Sequence, residues 1–273
     1  MTESATALID TSRATSFDDP QVAAAYRRIG EVGPFVYGLT NYIAANLSAN
    51  VLLAAGAGPA IGAGADWPTT FPAGAGAVWI NTATVMSNDA ETVRTVARTA
   101  RDAGTPWVLD PVAVGAGAVE YDAFVRSLLE FGPAIIRGNA SELIALAGGD
   151  ATGKGVETTA DSADAVEHIA ALARTSGAVL AVSGPTDYIT DGTEVVAVPG
   201  GDRRLTQVTG AGCSLGALAA GAAAVTEDRL LAAVTAHAAY ARAAENAAQR
   251  LGPRGGSGSF AVALVDGLWE LAN

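Results

Sequence analysis

Val208-Thr209-Gly210-Ala211-Gly212-Cys213 is the stretch whose reading decides the fold. An extended Thr-Gln-Val-Thr run, 206–209, meets a glycine-rich turn, and the turn opens a helix of small residues reaching Ala224. Glycines at 210 and 212 let the backbone turn tightly and bring bare N–H groups toward a ligand. Those amides and the helix macrodipole form a small positive pole, suited to a phosphate or a developing phosphoryl charge. The only cysteine of the chain, Cys213, sits at that pole, a setting that lowers a thiol's pKa and favours the thiolate. Packing offers a plainer alternative, in which the glycines allow close helix contact and Cys213 is a small buried hydrophobe.

Upstream of the turn, short apolar runs alternate with longer helical patterns. Strands are expected at 34–37, 59–61, 77–81, 107–110, 134–137 and 178–183. Helices are expected at 41–55, capped by Asn41 or Thr40, and at 89–103, 119–131, 140–147 and 162–175. Asp187–Thr190 and Glu194–Val198, joined by Asp191-Gly192, read as an antiparallel hairpin. Helices over 212–224, 228–251 and 257–271 close the chain. This rhythm predicts a single-domain α/β fold, a mostly parallel central sheet with helices on both faces. The domain is expected to span 17–273, behind a flexible polar lead-in over 1–16.

Composition narrows the function. The chain has 273 residues, half of them hydrophobic and 16% charged, enough to bury a large core without staples. One cysteine excludes an internal disulfide framework and fits a reducing compartment. The net charge of −12 repels nucleic acid and anionic membrane, so neither is expected as a partner. A phosphate ligand then needs a local positive trap or a divalent cation. The N-terminus lacks a basic segment and an apolar run, and 211–225 is too short to span a bilayer, so a cytoplasmic protein is expected. His168 and His237 have no second ligand at metal spacing and read as structural.

Ligands of open α/β sheets bind beyond the carboxyl ends of the strands. Those ends read Thr40-Asn41, Asn81, Asp110, Arg137-Gly138-Asn139, Ser183-Gly184 and the 210–213 turn, each polar or glycine after an apolar run. Pro111 biases Asp110 to an extended conformation, which holds its carboxylate at the sheet edge for a Mg²⁺ ion or for an ordinary Asp-Pro turn. Arg137 has the fork that clamps a phosphate. Asn139 or Ser141 caps the next helix, and Glu142 either serves the helix dipole or adds a second carboxylate beside Asp110.

Taken together, Thr40-Asn41-Tyr42 with Ala49-Asn50, Leu109-Asp110-Pro111-Val112 with Gly115-Ala116-Gly117, and Ile136-Arg137-Gly138-Asn139-Ala140 with Glu142 resemble the hydroxyethylthiazole kinase family. Lys154-Gly155-Val156, Val208–Cys213 and Gly256-Ser257-Gly258-Ser259-Phe260 continue the resemblance in order and spacing. It implies a ribokinase-like α/β fold, a homotrimer with active sites at subunit interfaces, and Mg-ATP-dependent phosphorylation of 4-methyl-5-(2-hydroxyethyl)thiazole. It also implies that Arg137, Asn139 and Ser183 serve ATP, and that Ile61, Asn41 and Gly210 serve the thiazole. Asp110 and Glu142 would serve the metal. Cys213 would stand by the reacting hydroxyl, with Gly210, Ala211 and Gly212 completing the catalytic turn.

Three departures fall on the acceptor side. Gly58-Pro59-Ala60-Ile61 stands where the family usually carries Ser-Pro-Val-Met, Tyr37-Gly38 replaces a pair that commonly begins with His, and Asn81-Thr82-Ala83-Thr84 replaces Asn-Ile-Gly-Thr. A kinase of another small alcohol and a non-catalytic binding relative are the alternatives. A dinucleotide-binding oxidoreductase fits poorly, because Gly210, Gly212 and Gly216 are spaced G-x-G-x-x-x-G, with no later strand bearing a ribose-binding acid.

Overall fold

Each central strand alternates its side chains between two apolar layers, as the period of an extended chain requires. In the computed structural model, which describes residues 12–149 and 161–273, Ala77 and Trp79 enter one core and Val78 and Ile80 the other. Among the described residues the nine strands are β1 (Arg13–Ala14), β2 (Phe35–Leu39), β3 (Gly58–Ile61), β4 (Ala77–Asn81), β5 (Trp107–Asp110), β6 (Ile135–Asn139), β7 (Val179–Ser183), β8 (Thr186–Thr190) and β9 (Val195–Pro199). They form one sheet in the order β1-β9-β8-β7-β6-β5-β4-β2-β3, and only β8 pairs antiparallel to its neighbours. The expected α/β architecture and the 187–198 hairpin are both present.

One face carries α1 (Pro20–Val32), α2 (Ala45–Ala54), α8 (Ala211–Ala223), α9 (Arg229–Leu251) and α10 (Ser257–Ala272). The other carries α3 (Trp67–Gly74), α4 (Ala90–Ala103), α5 (Val119–Ser127), α6 (Ala140–Leu146) and α7 (Val166–Ser176). Nine of the thirteen α8 residues are Ala or Gly, which brings its axis close to the strands and puts its first turn at their carboxyl ends. No helix among the described residues is long and apolar enough to cross a membrane.

Four expectations need correction. Residues 13–15 fall within the expected lead-in, yet Arg13 and Ala14 pair with Val196 and Ala197, and the Thr15 amide donates to the Ala197 carbonyl. Their backbone groups thus complete an edge of the sheet, while 1–11 lie outside the described residues, as do Lys154-Gly155-Val156. The helix expected from Asn41 begins only at Ala45, because the Asn41 carboxamide accepts the Ile43 and Ala44 amides and shapes a turn first. The run before the glycine turn is a 3-10 turn over Arg203–Gln207, started by the Asp202 carboxylate accepting the Arg204 amide; Val208 is the extended residue. Helices α1 and α3 were not among the expected elements: α1 opens on an Asp19 cap with Pro20 behind it and buries Val22, Ala23, Ala25, Tyr26 and Ile29 at helical spacing, whereas α3 carries two prolines in eight residues.

Candidate active site

Strand parity puts Asn81, Asp110, Arg137 and Ser183 on the α8 face, since each lies an even number of residues from a neighbour buried against that helix. Register brings them level: Asn81 pairs with Asp110 across β4 and β5, and Asn139 pairs with Ser183 across β6 and β7. The Asn81 Nδ2 donates to Asp110 Oδ2 at 3.0 Å, and Arg137 Nη1 lies 3.5 Å from Asp110 Oδ1. Arg137 Nη1 also donates to the Gly212 carbonyl at 3.0 Å, and its Nη2 to Ser183 Oγ at 2.8 Å. The guanidinium is buried and links three strands to the first turn of α8.

That turn depends on glycine at two points. Gly210 precedes α8 with φ 85°, and a Cβ there would also lie 3.2 Å from the Ala44 backbone. At Gly216, one turn further on, a Cβ would come within 2.8 Å of Trp79 Nε1 and 3.2 Å of Asp110 Oδ2. The Gly210 carbonyl takes the Ser214 amide and the Val208 carbonyl takes the Ala211 amide. The Gly212 and Cys213 amides, second and third of the helix, have no backbone partner among the described residues.

Electrostatics overturn one expectation for this site. Burial, reinforced by the Asp110 charge and opposed by Arg137 and a hydrogen bond from Asn81, pushes the Cys213 thiol up to about 12. Cys213 is therefore a neutral thiol at neutral pH, because the low dielectric and the nearby carboxylate outweigh the helix pole. Burial also raises Asp110, against the pull of Arg137 and with the push of Glu142, to about 6. Burial opposes the Arg137 charge, but Asp110 and Glu142 outweigh it and keep the guanidinium protonated.

Glu142 and Asn139 form a capping box at the start of α6. Asn139 Oδ1 accepts the Glu142 amide, Glu142 Oε2 accepts the Asn139 amide, and Oε1 accepts the Ala113 amide, each at 2.9 Å. Among the described residues no group of three or more His, Cys, Asp or Glu gathers into a metal cage. Asp110 and Glu142 are instead two buried carboxylates close enough for one charge to raise the other's pKa, and each of their four oxygens accepts one hydrogen bond. That donor set fits magnesium, which keeps water and phosphate ligands and takes one or two carboxylates.

A model of the hydroxyethylthiazole kinase family matches residues 26–273. The chain belongs to that family. A hydroxyethylthiazole kinase from Burkholderia pseudomallei is 63% identical over 253 residues, 93% of this chain and 90% of that protein. The solved hydroxyethylthiazole kinase structure from Pyrococcus horikoshii is 33% identical with a TM-score of 0.77, covering 91% of this chain and 92% of that one. A ribokinase-like superfamily protein from Enterococcus faecalis, 11% identical, shares the fold at a TM-score of 0.55 over 96% of this chain and 97% of its own. The fold is ribokinase-like.

Among the departures from the hydroxyethylthiazole kinase pattern, Tyr37 faces away from α8. It is buried on the opposite face against Phe71, and its hydroxyl donates to the Gly62 carbonyl at 2.9 Å, tying down the loop after β3. Ile61 does lie on the α8 face, half-buried, beside Gly38 and the Trp79 ring. Asn41 is buried and committed to its own turn. His237 Nδ1 pairs with Asp187 Oδ2, and no metal-binding group gathers around it among the described residues. Sequence reasoning missed Trp79, Gly216, Ser214 and Tyr240 near this site. Counting back by two from Asn81 would have placed Trp79 on the same face, and counting on by three and four along α8 would have flagged Gly216.

Proposed function

We propose that the protein transfers the terminal phosphoryl group of ATP to the primary alcohol of 4-methyl-5-(2-hydroxyethyl)thiazole, a salvage step of thiamine biosynthesis. The observation that carries this reading is the free pair of Gly212 and Cys213 amides at the start of α8, beside a buried arginine and two buried carboxylates. Phosphoryl transfer asks for positioning and charge stabilisation more than for covalent chemistry. The alcohol oxygen attacks the terminal phosphorus as the bond to the ADP oxygen breaks and the alcohol proton leaves to a phosphoryl oxygen or solvent, while the 210–213 amides take the charge that builds on the moving group. Arg137, Asn139 and Ser183 hold the nucleotide end, while Gly210, Asn41 and Ile61 border the thiazole.

When bound with ATP, magnesium neutralises phosphate charge, and Asp110 and Glu142 are the residues that would hold it through water. Cys213, as a neutral thiol, positions the hydroxyl. Exposed Tyr42, Ile43 and Met86 shortly after β2 and β4 fit a subunit contact there, as the homotrimer implied by the family resemblance would require. A cytoplasmic location fits the single cysteine.

Incubation with Mg-ATP and the thiazole should add the mass of one phosphate to the alcohol and release ADP only when the thiazole is present. ADP release that ignores the thiazole overturns the acceptor. Cys213→Ser, which keeps a neutral hydroxyl, should retain turnover within about tenfold, whereas a loss of about a thousandfold would mark the sulfur as the base.

A further inference from the structure

Helix α9 presents two buried polar side chains three residues apart, and so on one face: His237 and Tyr240. The Tyr240 hydroxyl donates to the Ala211 carbonyl at 2.9 Å and lies 2.8 Å from Ser214 Oγ, itself 3.0 Å from the same carbonyl. A trans peptide holds its C=O and N–H antiparallel. Fixing the Ala211 oxygen therefore aims the Gly212 N–H, and fixing the Gly212 oxygen, as Arg137 does, aims the Cys213 N–H. These are the two free amides of the turn.

His237 acts at the other end. Its Nδ1 is 2.6 Å from Asp187 Oδ2, and Asp187 Oδ1 accepts the Gly184 amide at 2.8 Å. Gly184 follows Ser183, whose Oγ takes the Arg137 Nη2 bond. A continuous chain of bonds thus runs from His237 through Asp187, the 183–184 turn and Arg137 to the Gly212 carbonyl. His237 Nε2 is buried with no partner in that environment. Packing alone does not favour a buried ring with an unpaired nitrogen.

We propose that this face of α9 positions the phosphoryl site. Tyr240 orients the Gly212 amide, and His237, through Asp187, fixes the Ser183–Gly184 turn at the nucleotide end. Neither residue touches substrate; both are positioning residues, and their roles rest on the reading of the 210–213 turn given above.

The test compares Tyr240→Phe, His237→Leu and His237→Asn with wild type in full-length protein. It reads kcat, KM, the ADP dissociation constant by calorimetry and the thermal midpoint. Tyr240→Phe should lower kcat about tenfold and leave the ADP constant within about twofold, because the amide it aims acts in the transition state. His237→Leu should weaken ADP several-fold. His237→Asn, which keeps an N–H donor at the δ position, should restore it to within about twofold of wild type. A lowered thermal midpoint with kcat and ADP affinity unchanged, or equal ADP weakening by Leu and Asn, overturns the proposal. If Tyr240→Phe does not fold, Ser214→Ala decides: a kcat loss of about threefold at unchanged KM supports it, and no loss rejects it. Should wild type leave the thiazole unphosphorylated, the acceptor reading fails, while the ADP titrations of the His237 variants still judge the His237–Asp187 contact.

Discussion

The two halves of the sheet's carboxyl edge are built differently. On the β5–β7 side, Arg137 is bonded to Asp110, Ser183 and Gly212, Glu142 is closed into its capping box, and α9 braces the turns from behind. On the β2–β4 side, β3 is a half-exposed edge strand, Ile61 is only partly covered, and Tyr42, Ile43 and Met86 face outward. The buried half is a polar network in which low dielectric strengthens each bond made, while Arg137 Nε and His237 Nε2 are buried without a partner among the described residues. The difference divides the edge into a closed, hydrogen-bonded half and an exposed one; on the function proposed above, the nucleotide end falls in the first and the acceptor in the second.

Breaking the network should have the largest effect. Arg137→Ala leaves Asp110 buried without its counter-charge and releases both Ser183 and Gly212. It should cost about 3 kcal/mol of stability in a denaturant melt and raise the KM for ATP while lowering kcat. Normal values for both would remove Arg137 from the nucleotide half.

The next effect is a pH dependence. With the Asp110 carboxyl held at about 6 in the folded chain, against an ordinary value of 3.8, the native state keeps a proton that the unfolded chain has lost. Stability from this group is thus greatest at low pH and falls as pH rises from about 4 to about 6. Asp110→Asn abolishes that titration, so its stability relative to wild type, read from denaturant melts, should climb across the window by an amount on the order of 2 kcal/mol. Parallel curves from pH 4 to 7 would show that Asp110 is not destabilised by burial. The smallest effect belongs to the open half: Ile61→Met, a near-volume-conserving swap, should change the KM for the thiazole by only about twofold to threefold and leave the KM for ATP alone. A shift in the ATP constant instead would erase the division between the halves.

Much of the site was legible because strand ends announce themselves. Asp110-Pro111, Arg137-Gly138-Asn139 and Ser183-Gly184 each stop an apolar run, and the structure sets them level on adjacent strands. The charge state of Cys213 was not legible. A helix start in isolation lowers a thiol's pKa, but here burial among distant segments and the charge of Asp110, about a hundred residues upstream, push it the other way. Arg137 was legible as a cation and not as a brace, since its partners Ser183 and Gly212 lie 46 and 75 positions away.

Local chemistry by itself determined the α/β rhythm, the glycine turn ahead of α8 and the polar strand ends, because periodicity, turn residues and proline act over a few neighbouring positions. Only tertiary structure decided that β1 joins the sheet, that Tyr37 faces away from α8, and that Tyr240 and His237 reach the turns from behind. Those outcomes depend on which distant surfaces pack together and on the low dielectric that packing creates.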